Sequence, residues 1–264
     1  MNLGLENKII LVTGGAQGIG EAITRGFAAE GAVACVLDRN PAKGGALVAE
    51  LAAQGRRADS YDCEMTDEPA VRETVAAVLS KHGRIDCVVN NAGINDGVSL
   101  RSSVAEFRSS LEKNIVQCFV LVQAALDALI ASKGTIVNIG SKCGLTGQGG
   151  TSGYVAAKGA MNGLTREWAV DLAKHGIRVN CVLPAEVMTP QYARWLERRT
   201  DPAAALTAIK AAVPFERRLT TAEEIAHTVI FTASPRCSHT TGQILCVDGG
   251  YVHLDRTCTI EERS

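Results

Sequence analysis

The sequence predicts a single α/β domain built on a doubly wound parallel sheet of about seven strands. Short apolar segments rich in β-branched residues alternate with longer amphipathic segments, and no linker rich in Pro or Ser divides the 264 residues. The short segments are almost continuously apolar, which is typical of parallel strands covered by helices on both faces. Because connections between parallel strands are right-handed and usually contain a helix, this alternation favours helices on both sides of the sheet.

The elements follow in regular order along the chain. We predict strands at 9–12, 33–37, 57–61, 85–89, 135–139, 178–183 and 244–247. We predict helices near 19–30, 41–54, 68–82, 103–132, 152–174 and 222–234. A polar segment of helical character, 190–218, interrupts the alternation before the last strand. Long insertions of this kind commonly cover a binding site, so we predict one domain over 1–264 with a substrate loop at 190–218.

Composition and charge exclude several classes of protein. The net charge is −1 without a long run of one sign, so we expect neither nucleic acid nor an anionic membrane as a partner. We find no apolar stretch of the roughly 18 residues that span a bilayer and no signal peptide, and we therefore expect a cytoplasmic protein. The nine cysteines form no C-x-x-C pair and the five histidines are scattered, which predicts buried free thiols and no metal site.

A glycine-rich turn, T-G-G-A-Q-G-I-G at 13–20, follows the first predicted strand. Such glycines allow a tight turn and a close approach to a pyrophosphate, and the next helix offers its free N–H groups to that anion. The spacing G-x-x-x-G-x-G differs from the general dinucleotide fingerprint, and a plain strand–helix turn is the alternative. The flanking strand and helix favour a Rossmann-type dinucleotide site.

Asp38, at the end of the second predicted strand, indicates which dinucleotide binds. A carboxylate there can accept hydrogen bonds from both hydroxyls of the adenosine ribose. It would repel a 2′-phosphate by a few kcal/mol at about 4 Å. Gln17 leaves the glycine turn without a base, whereas Arg39 could stack on adenine or bind a phosphate. We therefore predict NAD as the cofactor, with NADP less favoured.

Further motifs occur in a fixed order along the chain. They are Asp62, N-N-A-G at 90–93, Asn114, Ser141 before Y-x-x-x-K at Tyr154 and Lys158, P-A-E-V-M-T at 184–189, and D-G-G at 248–250. With these motifs in this order, the chain resembles the short-chain dehydrogenase/reductase family over essentially its whole length. The resemblance implies an NAD(P)-dependent oxidoreductase acting on CH–OH groups. Members are usually tetramers or dimers built through their long helices, so we expect a homotetramer.

The resemblance also implies a role for each matching position. Tyr154, Lys158, Ser141 and Asn114 would be catalytic, with Asn114 holding a water that connects Lys158 to a proton relay. The implied cofactor contacts are Gly14, Gln17, Gly18, Ile19, Gly20, Asp38, Arg39, Asp62, Cys63, Asn90, Ala92, Gly93, Tyr154, Lys158, Pro184, Val187 and Thr189. Ala185 stands where the family usually has glycine. Because alanine resists positive φ, we expect a different loop conformation at Ala185.

Tyr154 and Lys158, four residues apart, share one face of a helix. Tyrosine is a poor base at neutral pH because its reference pKa is about 10, but a neighbouring ammonium and a positive nicotinamide ring favour the phenolate. Ser141 can hydrogen-bond the substrate oxygen while hydride leaves the carbon. The alternative for Tyr154 and Lys158 is packing plus a solvated charge, and for Asn114 it is a helix cap or kink. Cys143 is predicted to be a pocket wall.

Five further stretches, at 91–97, 146–149, 184–190, 238–242 and 248–256, resemble bacterial L-fucose dehydrogenases of the family. This likeness implies oxidation of the anomeric hydroxyl of a free aldose, L-fucose or a similar sugar, to the lactone. One alternative is another alcohol/carbonyl pair, such as a sugar-acid derivative, a keto-acyl thioester or a steroid. Another is a nucleotide-sensing or scaffold protein that lost catalysis, which the presence of both Tyr154 and Lys158 disfavours.

A sugar needs several polar partners, because each unpaired hydroxyl in a pocket costs roughly 1–3 kcal/mol. The candidates for these partners are Asn95, Gln148, Glu186 and His239, and the alternative is that they are surface-loop residues. Trp195, in the insertion, could stack on the apolar face of a sugar or anchor the lid.

Overall fold

Seven parallel strands form one sheet in the computed structural model, which describes residues 1–254. The strands are β1 (Ile9–Thr13), β2 (Val33–Asp38), β3 (Arg57–Asp62), β4 (Cys87–Asn90), β5 (Thr135–Ile139), β6 (Arg178–Pro184) and β7 (Ile244–Val247). Their order in the sheet is β3-β2-β1-β4-β5-β6-β7. The winding direction reverses between β1 and β4, which creates the switch point at which open α/β sheets bind ligands. The predicted fold class is confirmed.

Nine α-helices connect the strands in the described part of the chain. They are α1 (Gly18–Ala29), α2 (Pro41–Ala53), α3 (Glu68–His82), α4 (Val104–Leu111), α5 (Gln117–Ser132), α6 (Ser152–Asp171), α7 (Pro190–Glu197), α8 (Pro202–Ala211) and α9 (Ala222–Ala233). The predicted helix 103–132 contains a π-helical turn, Glu112–Val116, between α4 and α5. The predicted helix 152–174 ends earlier, at Asp171, and a short 3₁₀ turn then leads to Gly176, whose φ is +72°. The insertion is helical, as α7 and α8.

Six of these helices begin where a side chain accepts a hydrogen bond from a backbone N–H of the first turn, which satisfies a donor that the helix itself leaves free. These side chains belong to Asn40, Asp67, Ser103, Thr189, Asp201 and Thr221. Two of them, Ser103 and Thr221, form full capping boxes with the glutamates three residues later. Local sequence therefore sets the start of most helices.

The core has one apolar layer on each face of the sheet. Val75 of α3, Leu121 of α5 and Trp168 of α6 pack on one face. Phe27 of α1 and Ile225 of α9 pack on the other. The predicted burial of the cysteines is confirmed for seven of the eight that are described, and these eight are free thiols. Cys258 and the end of the predicted motif 248–256 lie outside the described residues.

The segment Val104–Ser132 differs from the expectation that no stretch is apolar enough to span a bilayer. By length and composition it qualifies as a membrane-spanning helix, with a mean hydropathy of 1.9 over its most apolar window. Its apolar character has a reason in the fold, because Leu121, Ala125 and Leu129 are buried against the sheet. One such helix is weak evidence for a membrane.

Candidate active site

The predicted functional residues lie at the carboxyl ends of the strands, which a parallel sheet brings together on one side. The glycine turn follows β1, Asp38 ends β2, Asp62 ends β3, Asn90 ends β4, Ser141 follows β5, and Pro184 ends β6. Residues far apart in sequence therefore surround the switch point. His239 does not join them. It is exposed and precedes β7, at the amino end of the strands, which favours the alternative that it is a surface-loop residue.

The glycine turn forms a cradle that side chains would fill. Gly14 and Gly18 have φ values of +60° and +58°, which favour glycine. A Cβ at Gly14 would lie 3.2 Å from Cα of Ala92, and one at Gly20 would overlap the carbonyl of Gly14. Helix α1 starts at Gly18, so its first N–H groups face this cradle. The cradle fits a pyrophosphate.

The N-N-A-G loop is fixed to the glycine turn by Thr13. The Thr13 hydroxyl accepts hydrogen bonds from the backbone N–H groups of Asn91 and Ala92, both at 2.9 Å. Asn91 Nδ2 in turn donates to the Thr13 carbonyl at 2.8 Å. Asn90 points elsewhere, since its buried Nδ2 donates to Asn138 Oδ1 at 2.8 Å. The side chain of Asn90 is therefore occupied within the sheet, and a cofactor contact there would involve its backbone.

Asp38 is only 8% exposed, and its carboxylate orders the turn beside it. Oδ2 accepts from the Ala16 N–H at 3.2 Å, and Oδ1 accepts from the Asn40 N–H at 3.0 Å. One expectation needs correction, because a base does approach the glycine turn. Lys43 Nζ, in the first turn of α2, donates to Gln17 Oε1 at 2.7 Å. Sequence spacing does not predict this contact, because Gln17 and Lys43 lie at the starts of two different helices, α1 and α2.

Tyr154 and Lys158 stand side by side on α6, next to the end of β5. Lys158 is 4% exposed, and its Nζ lies 5.6 Å from the centroid of the Tyr154 ring. The same ammonium donates to the Ile139 carbonyl at 2.7 Å, two residues before Ser141. Ser141 Oγ accepts from the Cys143 N–H at 3.2 Å. The half-buried Tyr154 and the buried Lys158 therefore lie beside the strand end that leads to Ser141.

Asn114 lies at the centre of the π-helical turn and is fully buried. Its Nδ2 donates to the carbonyls of Ile94 and Ser110, at 3.0 and 2.9 Å, and its Oδ1 accepts from the Ile94 N–H at 2.8 Å. The amide thus ties the N-N-A-G loop to the helix. A Cβ at Gly93 would lie 2.9 Å from Asn114 Oδ1 and 3.7 Å from Lys158 Nζ. Asn114 and Lys158 therefore approach the same glycine.

The predicted substrate residues have different surroundings. Gln148 Oε1 accepts from Cys143 Sγ at 2.9 Å, so it lies close to the Ser141 turn. Asn95 Oδ1 accepts from the Gly97 N–H at 3.3 Å within its own loop. Trp195 is 38% exposed on α7, and the guanidinium of Arg199 lies 3.9 Å from its ring centroid. The Arg199 contact favours the anchoring role for Trp195 over sugar stacking.

Glu186 belongs to a charged cluster that the sequence analysis missed. It forms an ion pair with Lys142, which is 8% exposed and directly follows Ser141. The Lys142 ammonium also lies 3.7 Å from the centroid of the Tyr251 ring. Tyr192 of α7 has a buried hydroxyl without a hydrogen-bond partner among residues 1–254. The position of Lys142 next to Ser141 was the one available signal, whereas nothing in the sequence connects Tyr251 to it.

The loop after β6 accommodates Ala185 without backbone strain. Ala185 is not among the residues with positive φ. The backbone N–H of Thr220 donates to the Glu186 carbonyl at 3.0 Å, and Thr189 Oγ1 accepts from the Tyr192 N–H at 3.2 Å. The loop is therefore held at both ends, and Thr189 starts α7.

The fold assembles one group of possible metal ligands that the sequence spacing does not reveal. Cys35, Asp59 and His82 place one ligand atom each within 4.8 Å of one another, at the β2–β3 edge. Asp59 is already paired with Lys81 at 2.6 Å and with His82 at 2.7 Å. The neighbouring Lys81 ammonium would repel a cation, so we interpret the group as an ion-pair cluster.

Comparison with known proteins gives a consistent family. A family model described as short chain dehydrogenase matches residues 8–200. The 3-oxoacyl-[acyl-carrier-protein] reductase of Thermotoga maritima is 36% identical over 250 residues, covering 94% of this chain and 99% of the relative. The L-fucose dehydrogenase of Mus musculus is 37% identical over 245 residues, covering 92% and 88%. Such different substrates at nearly equal identity mean that the likeness carries the reaction class and not one substrate.

Solved structures agree with the fold. The Cj0485 dehydrogenase has a TM-score of 0.92 at 42% identity, covering 97% of this chain and 98% of its own. The ligand-free aldohexose dehydrogenase of Thermoplasma acidophilum has a TM-score of 0.88 at 29% identity, covering 98% of both chains.

Proposed function

The chain belongs to the short-chain dehydrogenase family of NAD(P)-dependent enzymes acting on CH–OH groups, and on that premise we propose that it oxidises a free aldose with NAD. The substrate is L-fucose or a similar sugar, the hydride comes from the anomeric carbon, and the product is the lactone. One observation carries the choice of substrate. The Lys142–Glu186 ion pair, next to Ser141, suits a molecule rich in hydroxyls and would be a costly lining for the apolar face of a steroid.

Tyr154 and Lys158 on α6, together with Ser141 after β5, perform the proton transfer. Tyr154, as phenolate, takes the proton of the anomeric hydroxyl, and the Lys158 ammonium stabilises that negative charge. Ser141 hydrogen-bonds the same oxygen and holds it in place as it becomes a carbonyl. The bound nicotinamide supplies the hydride acceptor at its C4. Asn114 keeps the N-N-A-G loop beside Lys158 and, as we propose from the family likeness, holds the water of the proton relay.

The choice of NAD rests on Asp38. The buried carboxylate ends β2 beside the glycine cradle, where it would accept hydrogen bonds from the ribose hydroxyls and repel a 2′-phosphate. Lys43 and Arg39 lie close enough to moderate this repulsion, since Lys43 contacts Gln17 in the same turn. NAD is therefore the preferred cofactor and NADP the weaker one.

A screen for NADH formation with free aldoses tests the proposal. We expect turnover with L-fucose or a stereochemically related sugar. The alternative is another alcohol/carbonyl pair, and activity with a keto-acyl thioester or a steroid but with none of the free aldoses would overturn the sugar proposal. We further propose a cytoplasmic homotetramer assembled through the outer faces of α5 and α6.

A further inference from the structure

The charged cluster beside Ser141 has four members. Each comes from a different segment at the carboxyl ends of the strands. Lys142 follows β5, Glu186 follows β6, Tyr192 lies in α7, and Tyr251 follows β7. Because β5, β6 and β7 are neighbours in the sheet, the segments after them converge. The cluster adjoins the proposed catalytic serine, and the chemistry proposed above uses Lys142 and Glu186 only as a polar lining and assigns no role to Tyr192 or Tyr251.

Hydrogen bonds fix the backbone of the two segments that carry Tyr251 and Glu186. Asp248 is 6% exposed, and its two carboxylate oxygens accept from the N–H groups of Gly250 and Val252, at 2.8 and 2.9 Å. This fixes the turn that presents the Tyr251 ring to Lys142. The Glu186 backbone is fixed by Thr220. The positions of the charges are therefore set before any substrate arrives.

The Lys142–Glu186 ion pair is not expected to add much to the stability of the fold. The side chains of Lys142 and Glu186 are only 10% and 17% exposed, so both charges have lost most of their water. A desolvated pair is commonly no more stabilising than apolar residues of the same size. A role in recognition explains why charged residues stand here.

The cluster also has unused hydrogen-bonding capacity. An ammonium has three N–H donors, and Lys142 directs one to Glu186 and turns one side to the Tyr251 ring. A carboxylate accepts about four hydrogen bonds, so Glu186 keeps acceptor capacity beside its bond from Lys142 and the nearby Tyr192 hydroxyl. The Tyr192 hydroxyl is buried without a partner in residues 1–254. Burial and the adjacent Glu186 carboxylate, through its charge and as a hydrogen-bond acceptor, raise the pKa of Tyr192, so its hydroxyl remains a donor that faces Glu186.

We propose that Lys142, Glu186 and Tyr192 bind the sugar hydroxyl next to the anomeric carbon and thereby set the substrate specificity of the enzyme. A hydroxyl both donates and accepts, so it can donate to Glu186 while it accepts from Lys142 or Tyr192. Ser141 and Glu186 follow the neighbouring strands β5 and β6, so the oxidised oxygen and its vicinal hydroxyl match sites at the carboxyl ends of two adjacent strands. This inference rests on the proposed function and extends it from a class of sugar to one hydroxyl group.

The test compares one aldose that the enzyme oxidises with its 2-deoxy analogue, which lacks the vicinal hydroxyl. We expect Glu186→Gln to lower kcat/KM for the aldose by roughly 10- to 100-fold, the range for a hydrogen bond to a charged group. On the 2-deoxy analogue the same substitution should cost no more than about threefold, because the interaction is already gone. Tyr192→Phe should show the same pattern with a smaller loss.

Two controls separate recognition from folding. The double variant K142M/E186Q removes both charges and should keep the melting temperature and NAD affinity of the unaltered enzyme while it loses activity on the aldose. Lys81→Met breaks a remote ion pair, the one between Lys81 and Asp59, and should leave kcat/KM unchanged.

The outcomes distinguish the two proposals. If the unaltered enzyme oxidises no free aldose, the proposed function falls, and this inference falls with it. If the enzyme oxidises an aldose but Glu186→Gln costs the same factor on the aldose and on its 2-deoxy analogue, only the hydroxyl-binding role is overturned. Loss of stability in K142M/E186Q with unchanged kcat/KM would likewise show that the pair serves the fold.

Discussion

Tyr154, the proton acceptor that we propose, has its ring centroid 5.6 Å from the Lys158 ammonium. Replacing it with phenylalanine keeps the ring and removes the oxygen. We expect Tyr154→Phe to lower turnover at least about a hundredfold, the scale of acid–base contributions. NAD binding, measured by titration, should be unchanged, because the cradle at Gly14 and Gly18 is untouched. Unchanged turnover would refute the role assigned to Tyr154.

Asp38 offers a test of cofactor choice. Asp38→Asn keeps an oxygen that can accept from the Ala16 N–H but removes the negative charge. With Lys43 nearby, we expect the ratio of kcat/KM for NADP to that for NAD to rise at least about tenfold. Asp171→Asn, which removes an exposed carboxylate paired with Lys174 at the end of α6, is the control and should move the ratio little. A ratio that stays constant in Asp38→Asn would contradict the charge argument.

Individual residues were predictable where a motif marks them. Ser141, Tyr154 and Lys158 were named from order and spacing, and the structure places them together. Lys43 beside Gln17 and Tyr251 beside Lys142 were missed, since these contacts join side chains of separate elements. His239 was named because the stretch 238–242 resembles L-fucose dehydrogenases. It precedes β7 and therefore lies at the amino end of the strands, away from Ser141. Spacing shows which residues share an element, not which elements meet.

The π-helical turn between α4 and α5 provides a test at the level of an element. The buried Asn114 makes three side-chain hydrogen bonds there, two with Ile94 and one with Ser110. Asn114→Ala leaves those backbone groups unpaired, so we expect the free energy of unfolding to fall by about 2–4 kcal/mol. Turnover should fall as well, because the N-N-A-G loop loses its attachment beside Lys158.

A matched substitution in α4 separates stability from activity. Ser103 forms the capping box that starts this helix, away from Lys158. Ser103→Ala should cost about 1 kcal/mol in urea unfolding while kcat stays unchanged. If Ser103→Ala and Asn114→Ala lowered kcat alike, a general effect of helix stability would replace the specific role of Asn114.

Elements were predicted well where local chemistry determines their ends. Asp67 and Thr221 cap α3 and α9 at the predicted starts. The strand predicted at 85–89 begins at Cys87, although the Asp86 backbone already pairs with Ile9 and Thr135 on either side. The π-helical turn was not foreseen, since Asn114 binds Ile94, 20 residues away, as well as Ser110 in the preceding turn. Spacing along one helix does not reveal such a contact.

For the whole molecule, the buried thiols predict sensitivity to alkali. Burial raises the pKa of Cys35 and of Cys181 to about 12 and that of Cys118 to about 11. The folded protein keeps these protons to a higher pH than the unfolded chain, whose thiols ionise near pH 8.5. Stability should therefore be constant in this respect below about pH 8.5 and then fall as pH rises, by up to about 1.4 kcal/mol per pH unit for each thiol.

Urea unfolding between pH 7.5 and 10.5 measures this slope. Cys35→Ala removes one of the titrating thiols, so its stability should fall less steeply with pH than that of the unaltered protein. Equal slopes for the two proteins would show that the Cys35 thiol contributes nothing to the alkaline response.

Assembly is the remaining property of the whole molecule, and the outer face of the long helices carries the argument. Phe119 on α5 is 49% exposed and Val170 on α6 is 79% exposed, and both helices cover the same face of the sheet. These exposed apolar side chains belong to the surface that we propose for the contact between subunits. A second copy of the chain would cover them, because closed symmetric oligomers use the same surface on each subunit.

Light scattering after size exclusion should therefore give four times the 27.8 kDa mass of the chain. Phe119→Glu places a charge in the interface and should shift the mass to that of a dimer or monomer. Val104→Glu, at the exposed first turn of α4, adds the same charge where a helix start favours it and should leave the mass unchanged. A Phe119→Glu protein that keeps the full mass would mean that subunits meet elsewhere, and the exposed apolar residues of α5 would then need another partner.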